Sequence, residues 1–229
     1  DAIEESALAY LREPARQEQP FALCVGFVAP HFPFIVPEPY FSMYYPEFGD
    51  LPSNPPGHLD NLPAAADRLR RMFGFDGNSE EDIRCARAAY YGLITYLDDK
   101  IGKLLDALEE TGLAQNTVVI HTSDHGESLG EHGLWRKMNF YEQSARVPLQ
   151  IAWPGHIEGG QRIAGATSLV DVTATILDAG GAELDQVAAM QLDGDSLLPL
   201  MQGDPGEWKD EAFSEHLAHG TDRARAMIR

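Results

Sequence analysis

Val118, Val119 and Ile120 form a β-branched run that stops at His121-Thr122-Ser123-Asp124-His125-Gly126, a cluster that cannot continue a strand. Such residues are stiff at χ1 and fit the extended chain, so this boundary reads as a buried strand with polar side chains at its carboxyl end. A second constraint lies upstream. From Ser79 to Glu110, Ile83, Ala86, Tyr90, Leu93, Leu97, Ile101, Leu104 and Leu108 recur every three or four residues; Ser79 with Asp82 spells a capping box, and Gly112 follows. That pattern predicts a long amphipathic helix. A helix leading straight into a strand belongs to a right-handed strand, helix, strand crossover. The expected fold is therefore α/β, a mainly parallel sheet sandwiched by helices. Ligands of open α/β sheets bind beyond the carboxyl ends of the strands. Asp124 and His125, a carboxylate beside an imidazole, stand there as candidate metal ligands.

Other segments fit the same scheme. Phe21 to Val28 is almost wholly apolar, as a parallel strand covered on both faces would be, and ends in A-P-H-F-P-F, where Pro30 and Pro33 restrict the backbone around His31. Residues 147–152 read as a further buried strand, residues 3–11 as an amphipathic helix closed by Pro14, and Leu169 to Ala179 as a helix stopped by Gly180-Gly181. Residues 36–78, rich in proline, glycine and aromatics, read as a long irregular segment packed over the site entrance. Asp98, Asp99 and Lys100 read as the solvated face of the long helix, and Cys24 and Cys85 as two small buried hydrophobes.

A chain of 229 residues, 44% hydrophobic and 23% charged, suits one domain with a sizeable core. Its formal charge of -19 argues against nucleic acid or an anionic membrane as a partner. Any anionic substrate must be attracted locally, by a divalent cation and a few placed Lys, Arg and His residues. No run approaches the ~18 apolar residues of a membrane span. The chain opens on Asp1 and ends at Arg229 as a piece of a longer polypeptide would. A leader, an oligomeric state and a cytoplasmic or periplasmic location are left open.

Three chemistries compete for the central motif. His121 and His125 have the spacing of a zinc-protease H-E-x-x-H pair, but the preceding run is β-like and Thr122 occupies the Glu position. Gly126 to Gly130 spells a G-x-S-x-G nucleophile elbow, yet Ser128 does not sit on a direct strand-to-helix turn. The third is a metal-assisted ester hydrolase. For it the sequence is specific: S-D-H-G-E-S-L-G-E-H-G-L-W-R-K-M-N-F-Y-E-Q-S-A-R-V-P-L resembles the second metal-binding segment of the sulfatases, within the alkaline phosphatase superfamily, and most of all their choline- and iduronate-sulfatase branches. A-P-H-F-P-F, Y-Y-G-L-I-T-Y-L-D-D-K-I-G-K-L-L, S-L-V-D-V-T-A-T-I-L-D and D-G-D-S-L-L-P-L-M-Q-G agree with it.

The resemblance implies that residues 1–205 are the carboxyl-terminal portion of a sulfatase catalytic domain and 206–229 the start of its smaller subdomain. It implies that Asp124 and His125 hold a divalent cation. Ca²⁺ is usual in the family, while the imidazole, where many arylsulfatases have Asn, also admits Mn²⁺ or Zn²⁺. Lys137 corresponds to a lysine that reaches the sulfate oxygens, and His31 to a histidine that contacts the sulfate and assists the leaving alcohol. The substrate implied is a small-molecule sulfate ester. The formylglycine nucleophile, made in C-x-P-x-R or S-x-P-x-R, is missing, since Cys85 is followed by A-R-A-A. It is expected upstream with a further aspartate pair, and these 229 residues alone are expected to be inactive. Phosphonate monoester hydrolases and phosphodiesterases of the same superfamily share D-H-G-E and are the alternative, with a catalytically inactive binding relative as a third possibility.

Overall fold

The computed structural model describes residues 2–47, 50–73, 77–204, 206–217 and 224–228, arranged as two units. The first, Asp1–Ala114 with His125–Arg146, contains helices α1 (Ala2–Leu11), α2 (Glu38–Ser42), α3 (Ala64–Phe73), α4 (Glu80–Glu110) and α5 (Glu142–Ala145). The second, Gln115–Asp124 with Val147–Arg229, contains α6 (Leu169–Ala179), α7 (Leu184–Ala189) and α8 (Leu198–Met201). Strand β1 (Val119–Thr122) belongs to the second unit, β2 (Ser128–Leu129) and β3 (Trp135–Arg136) to the first, and β4 (Leu149–Ala152), β5 (Phe213–Leu217) and β6 (Ala224–Ile228) again to the second.

Helix α4 organises the first unit. It starts as its spelling predicts, with the Asp82 amide donating to Ser79 Oγ at 3.1 Å and the Ser79 amide to Asp82 Oδ2 at 2.9 Å. Ala88, Ala89, Leu93, Ala107 and Leu108 are buried along it. Helix α1 docks through Glu4, whose carboxylate takes Lys100 at 2.5 Å and Lys103 at 2.7 Å and is held well below the usual carboxylate range by them. Helix α2 crosses where α4 has Gly92, because a Cβ there would lie 2.8 Å from the Tyr40 carbonyl oxygen. The Tyr40 hydroxyl donates to Asp99 at 2.6 Å. Asp99 and Lys100 are thus docking groups for α2 and α1, and of the expected solvated triplet only Asp98 fits that description without qualification.

In the second unit Leu197, Leu198 and Met201 form a buried cluster with Leu149, Ile151 and Trp153 against it. Asp171, fully buried, ties this unit together: it accepts from the amides of Ser168 at 2.7 Å and Asp195 at 3.0 Å, and pairs with Lys209 at 2.9 Å. The expected subdomain at 206–229 falls partly outside the described residues, at 218–223 and 229.

Four expectations need correction. Phe21 to Val28 carries no strand ladder among the described residues, and Leu23 (38% exposed) and Val28 (74%) face solvent. Cys24 is accordingly exposed rather than buried. Each described ladder, β1 with β4, β2 with β3 and β5 with β6, is antiparallel, and the first runs from Val119 opposite Ala152 to Thr122 opposite Leu149. The expected parallel pairing is absent from these ladders because an apolar run encodes extension and burial, not direction. No crossover helix separates β1 from β4, and the chain between them holds only a short hairpin and the single turn α5. The segment at 36–78 is also less irregular than its composition suggests: Pro63 starts α3, whose Arg and apolar residues alternate with helical period.

Candidate active site

The proline-flanked turn at His31 and the later part of the central motif, from His125 onward, meet in the first unit. The His31 amide donates to the Val28 carbonyl at 2.9 Å, which turns the chain and presents the imidazole. Nδ1 lies 2.6 Å from the Phe32 carbonyl oxygen. A carbonyl only accepts, so Nδ1 carries the proton and Nε2 the lone pair. The Lys137 ammonium donates to that Nε2, joining residues 106 positions apart. Phe32 is the floor beneath them: its ring stacks on His31 at 4.2 Å, with Lys137 Nζ 4.7 Å and the Arg136 guanidinium 4.3 Å from its centroid.

Lys137 is aimed by an unusual backbone. Arg136 (φ 69) and Met138 (φ 85), on either side of it, both occupy the left-handed region without being glycine. Such conformations cost ~1–3 kcal/mol each and persist only where surrounding structure enforces them, which concentrates them at functional sites. The same holds for His132 (φ 57) in the turn that links β2 to β3.

His125 reaches this group, its ring edge-on to His31 at 5.8 Å and 64°. Its Nδ1 donates to the Gly126 carbonyl at 2.8 Å, which leaves the lone pair on Nε2. That is the tautomer of a metal-ligating histidine, whose other ring nitrogen normally donates to a carbonyl or carboxylate. Gly126 is required here. Its amide donates to the Ser144 carbonyl at 2.8 Å, and a Cβ on it would lie 2.1 Å from the Gln143 carbonyl oxygen. The loop is thereby seated on α5.

Asp124 lies in the other unit, two residues beyond β1, with its Oδ1 3.5 Å from Ser123 Oγ. His31, Lys137 and His125 are therefore the sequence-predicted residues brought together within one unit. Among the described residues no three His, Cys, Asp or Glu side chains assemble into a metal cage. A carboxylate, and an imidazole with its lone pair on Nε2, are donor types that suit a divalent ion.

Three residues at this site were not singled out by sequence. Phe32 and Arg136 are hidden in runs whose aromatic and basic residues have no diagnostic spacing. Glu127, inside the G-x-S-x-G spelling, is 9% exposed with Oε1 buried and lacking a hydrogen-bond partner. Burial pushes its carboxyl up, opposed first by the charge of Lys137. The elbow reading itself fails on structure: Ser128 is in β2, 2% exposed, and its Oγ accepts from Asn139 Nδ2 at 3.3 Å. The zinc-protease reading fails as well, since His121 is on a strand.

The family model for sulfatases matches residues 1–182, and the chain belongs to that family. It is 39% identical to a choline-sulfatase of Rhizobium meliloti over 193 residues, covering 81% of this chain and 36% of that protein. It is 38% identical to a multifunctional alkaline phosphatase superfamily protein of Trinickia caryophylli, covering 92% of this chain and 43% of the relative. Among solved structures it is similar to a phosphonate monoester hydrolase from Silicibacter pomeroyi, at 32% identity and a TM-score of 0.81, over 93% of this chain and 43% of that one. The chain spans less than half the length of each, and so forms part of an α/β domain of the sulfatase and alkaline phosphatase type.

Proposed function

We propose that the intact protein hydrolyses a sulfate monoester and that these residues supply the anion-binding half of its site. The observation that carries this reading is the meeting of His31 and Lys137 over Phe32, with His125 edge-on to His31. It answers the demand set by a chain of charge -19, for local positive charge that a substrate anion can find. Asp124 and His125 would hold a divalent cation, Ca²⁺ by family habit and Mn²⁺ or Zn²⁺ by virtue of the imidazole. When bound, the ion polarises the ester and neutralises charge as it develops, a contribution of several kcal/mol. Lys137 exchanges its hydrogen bond to His31 for one to a sulfate oxygen. His31, released from the ammonium, faces the bridging oxygen; its Nε2 takes up a proton from solvent and passes it to that oxygen as the ester bond breaks and the alcohol departs. The nucleophile of this reading is a formylglycine outside these residues.

A phosphonate monoester hydrolase is the second reading, favoured by the structural likeness at a TM-score of 0.81. Sulfate monoesters and phosphonate monoesters are both tetrahedral monoanions, so one ammonium and one imidazole suit either. The test is a panel of activated aryl sulfates, phosphonates and phosphates given to the intact protein and to its Lys137→Ala variant. Removing one preorganised donor should cost ~2.7–4 kcal/mol of transition-state stabilisation, a factor of ~10²–10³ in kcat, with the melting temperature nearly unchanged. A wild-type rate in the variant would assign Lys137 to structure alone.

A further inference from the structure

The chemistry above gives Glu127 no task, yet the fold buries it among the groups that carry that chemistry. A carboxylate so enclosed is costly unless opposite charge compensates it. The compensating charge is that of Lys137, the foremost of the groups that pull the carboxyl back down, and the Arg136 amide adds a hydrogen bond. The ribbon explains the placement. With Ser128 opposite Arg136 and Leu129 opposite Trp135, Glu127 and Lys137 face each other across its open end, one step beyond the last pair.

Lys137 needs an anchor. A lysine side chain is long, flexible and strongly hydrated, and left alone it extends into water. Here it is turned inward onto the face of Phe32 and the lone pair of His31. Both of those partners are neutral, and of the groups restraining the ammonium Glu127 brings the formal negative charge. No ion pair between them lies within hydrogen-bonding distance, and Oε1 has no partner, so the influence is that of a charge held nearby in a dry place rather than of a direct contact.

We propose that Glu127 is a positioning residue, whose buried carboxylate is the counter-charge that keeps the Lys137 ammonium turned into the anion site. The inference deepens the proposed hydrolytic reading and rests on it for the meaning of the site, but its test does not require turnover. Glu127→Gln preserves shape and removes the charge. In the intact protein it should lower kcat/KM for an activated aryl ester roughly tenfold when Lys137 is present. In the Lys137→Ala background it should change the rate less than about twofold, since residues acting through one another are non-additive. Glu127→Asp, which keeps the charge, should retain more of the rate than Glu127→Gln. A purely structural role would instead lower both backgrounds by the same factor, and that result, or an unchanged rate, overturns the proposal. If Glu127→Gln does not fold, the cycle is run with Glu127→Asp, where roughly a threefold loss confined to the Lys137 background is expected. Calorimetric binding of inorganic sulfate to the same four proteins repeats the cycle without chemistry. A wild type that hydrolyses neither ester therefore refutes the reaction, while the sulfate cycle still decides on Glu127.

Discussion

Arg87 offers the sharpest test of how the first unit is held together. It is 6% exposed on α4, and its guanidinium donates to the Leu129 carbonyl at 3.0 Å, to Glu131 at 2.6 Å, to Asp50 at 3.0 Å and to the Tyr91 hydroxyl at 3.0 Å. These partners differ in worth. The Asp50 side chain is 63% exposed and returns to water when the arginine is gone, so its share is below ~1 kcal/mol. The Leu129 carbonyl is buried, and losing its donor costs ~1–3 kcal/mol. Glu131, with a side chain 21% exposed, is left as a half-buried carboxylate without its cation. Arg87→Ala should therefore destabilise the intact protein by about 3–5 kcal/mol, the usual cost of removing one partner from a buried pair. At ~2–4 °C per kcal/mol the melting temperature falls by about 6–20 °C. Asp50→Ala should cost less than ~1 kcal/mol. Thermal and urea melts followed by circular dichroism measure both. Equal losses in the two variants would refute the weighting by burial, and a loss under ~1.5 kcal/mol for Arg87→Ala would refute the role given to the buried contacts.

Gly126→Ala should cost ~1–3 kcal/mol and lower turnover with it, because its Cβ would sit 2.1 Å from the Gln143 carbonyl oxygen; Gly102→Ala on α4 meets nothing within 4 Å and should instead raise the urea midpoint. Stability should also fall on acidification below pH 6.5. Burial, and then the charge of His58, which lies 2.7 Å away, hold His132 below its ordinary value of 6.5 against the opposing pull of Glu131. A histidine whose folded pKa is depressed stabilises the fold above the unfolded value and loses that contribution as pH falls toward the folded one. His132→Asn, which tolerates the left-handed backbone, should flatten the dependence between pH 7.5 and 5.5; an unchanged slope would place the sensitive group elsewhere.

What the sequence disclosed was local. Helix α4 and its capping box were legible because period and cap are written in neighbouring residues, and so was α6 with its glycine stop. The direction of β1 against β4 was not, because pairing is decided between segments about thirty positions apart, and no residue type records it. Site residues divide in the same way. Asp124 and His125 announce themselves at the end of a strand, whereas the meeting of His31 with Lys137 was foreseeable only through a family likeness. Glu127 was concealed because a buried acid and a surface acid are spelled alike.

The unladdered stretch Phe21 to Val28 has a consequence for handling the protein. F-A-L-C-V-G-F-V has no charge and no proline, and it carries no ladder among the described residues, with Leu23 and Val28 open to solvent. That combination is the template on which a second chain adds strand to strand. These 229 residues in isolation should therefore self-associate as concentration rises, through this stretch and despite the net charge of -19. Exposed Cys24 lies within it and offers a reporter: association should protect its thiol from alkylation, and Val25→Lys should keep the chain monomeric and the thiol reactive.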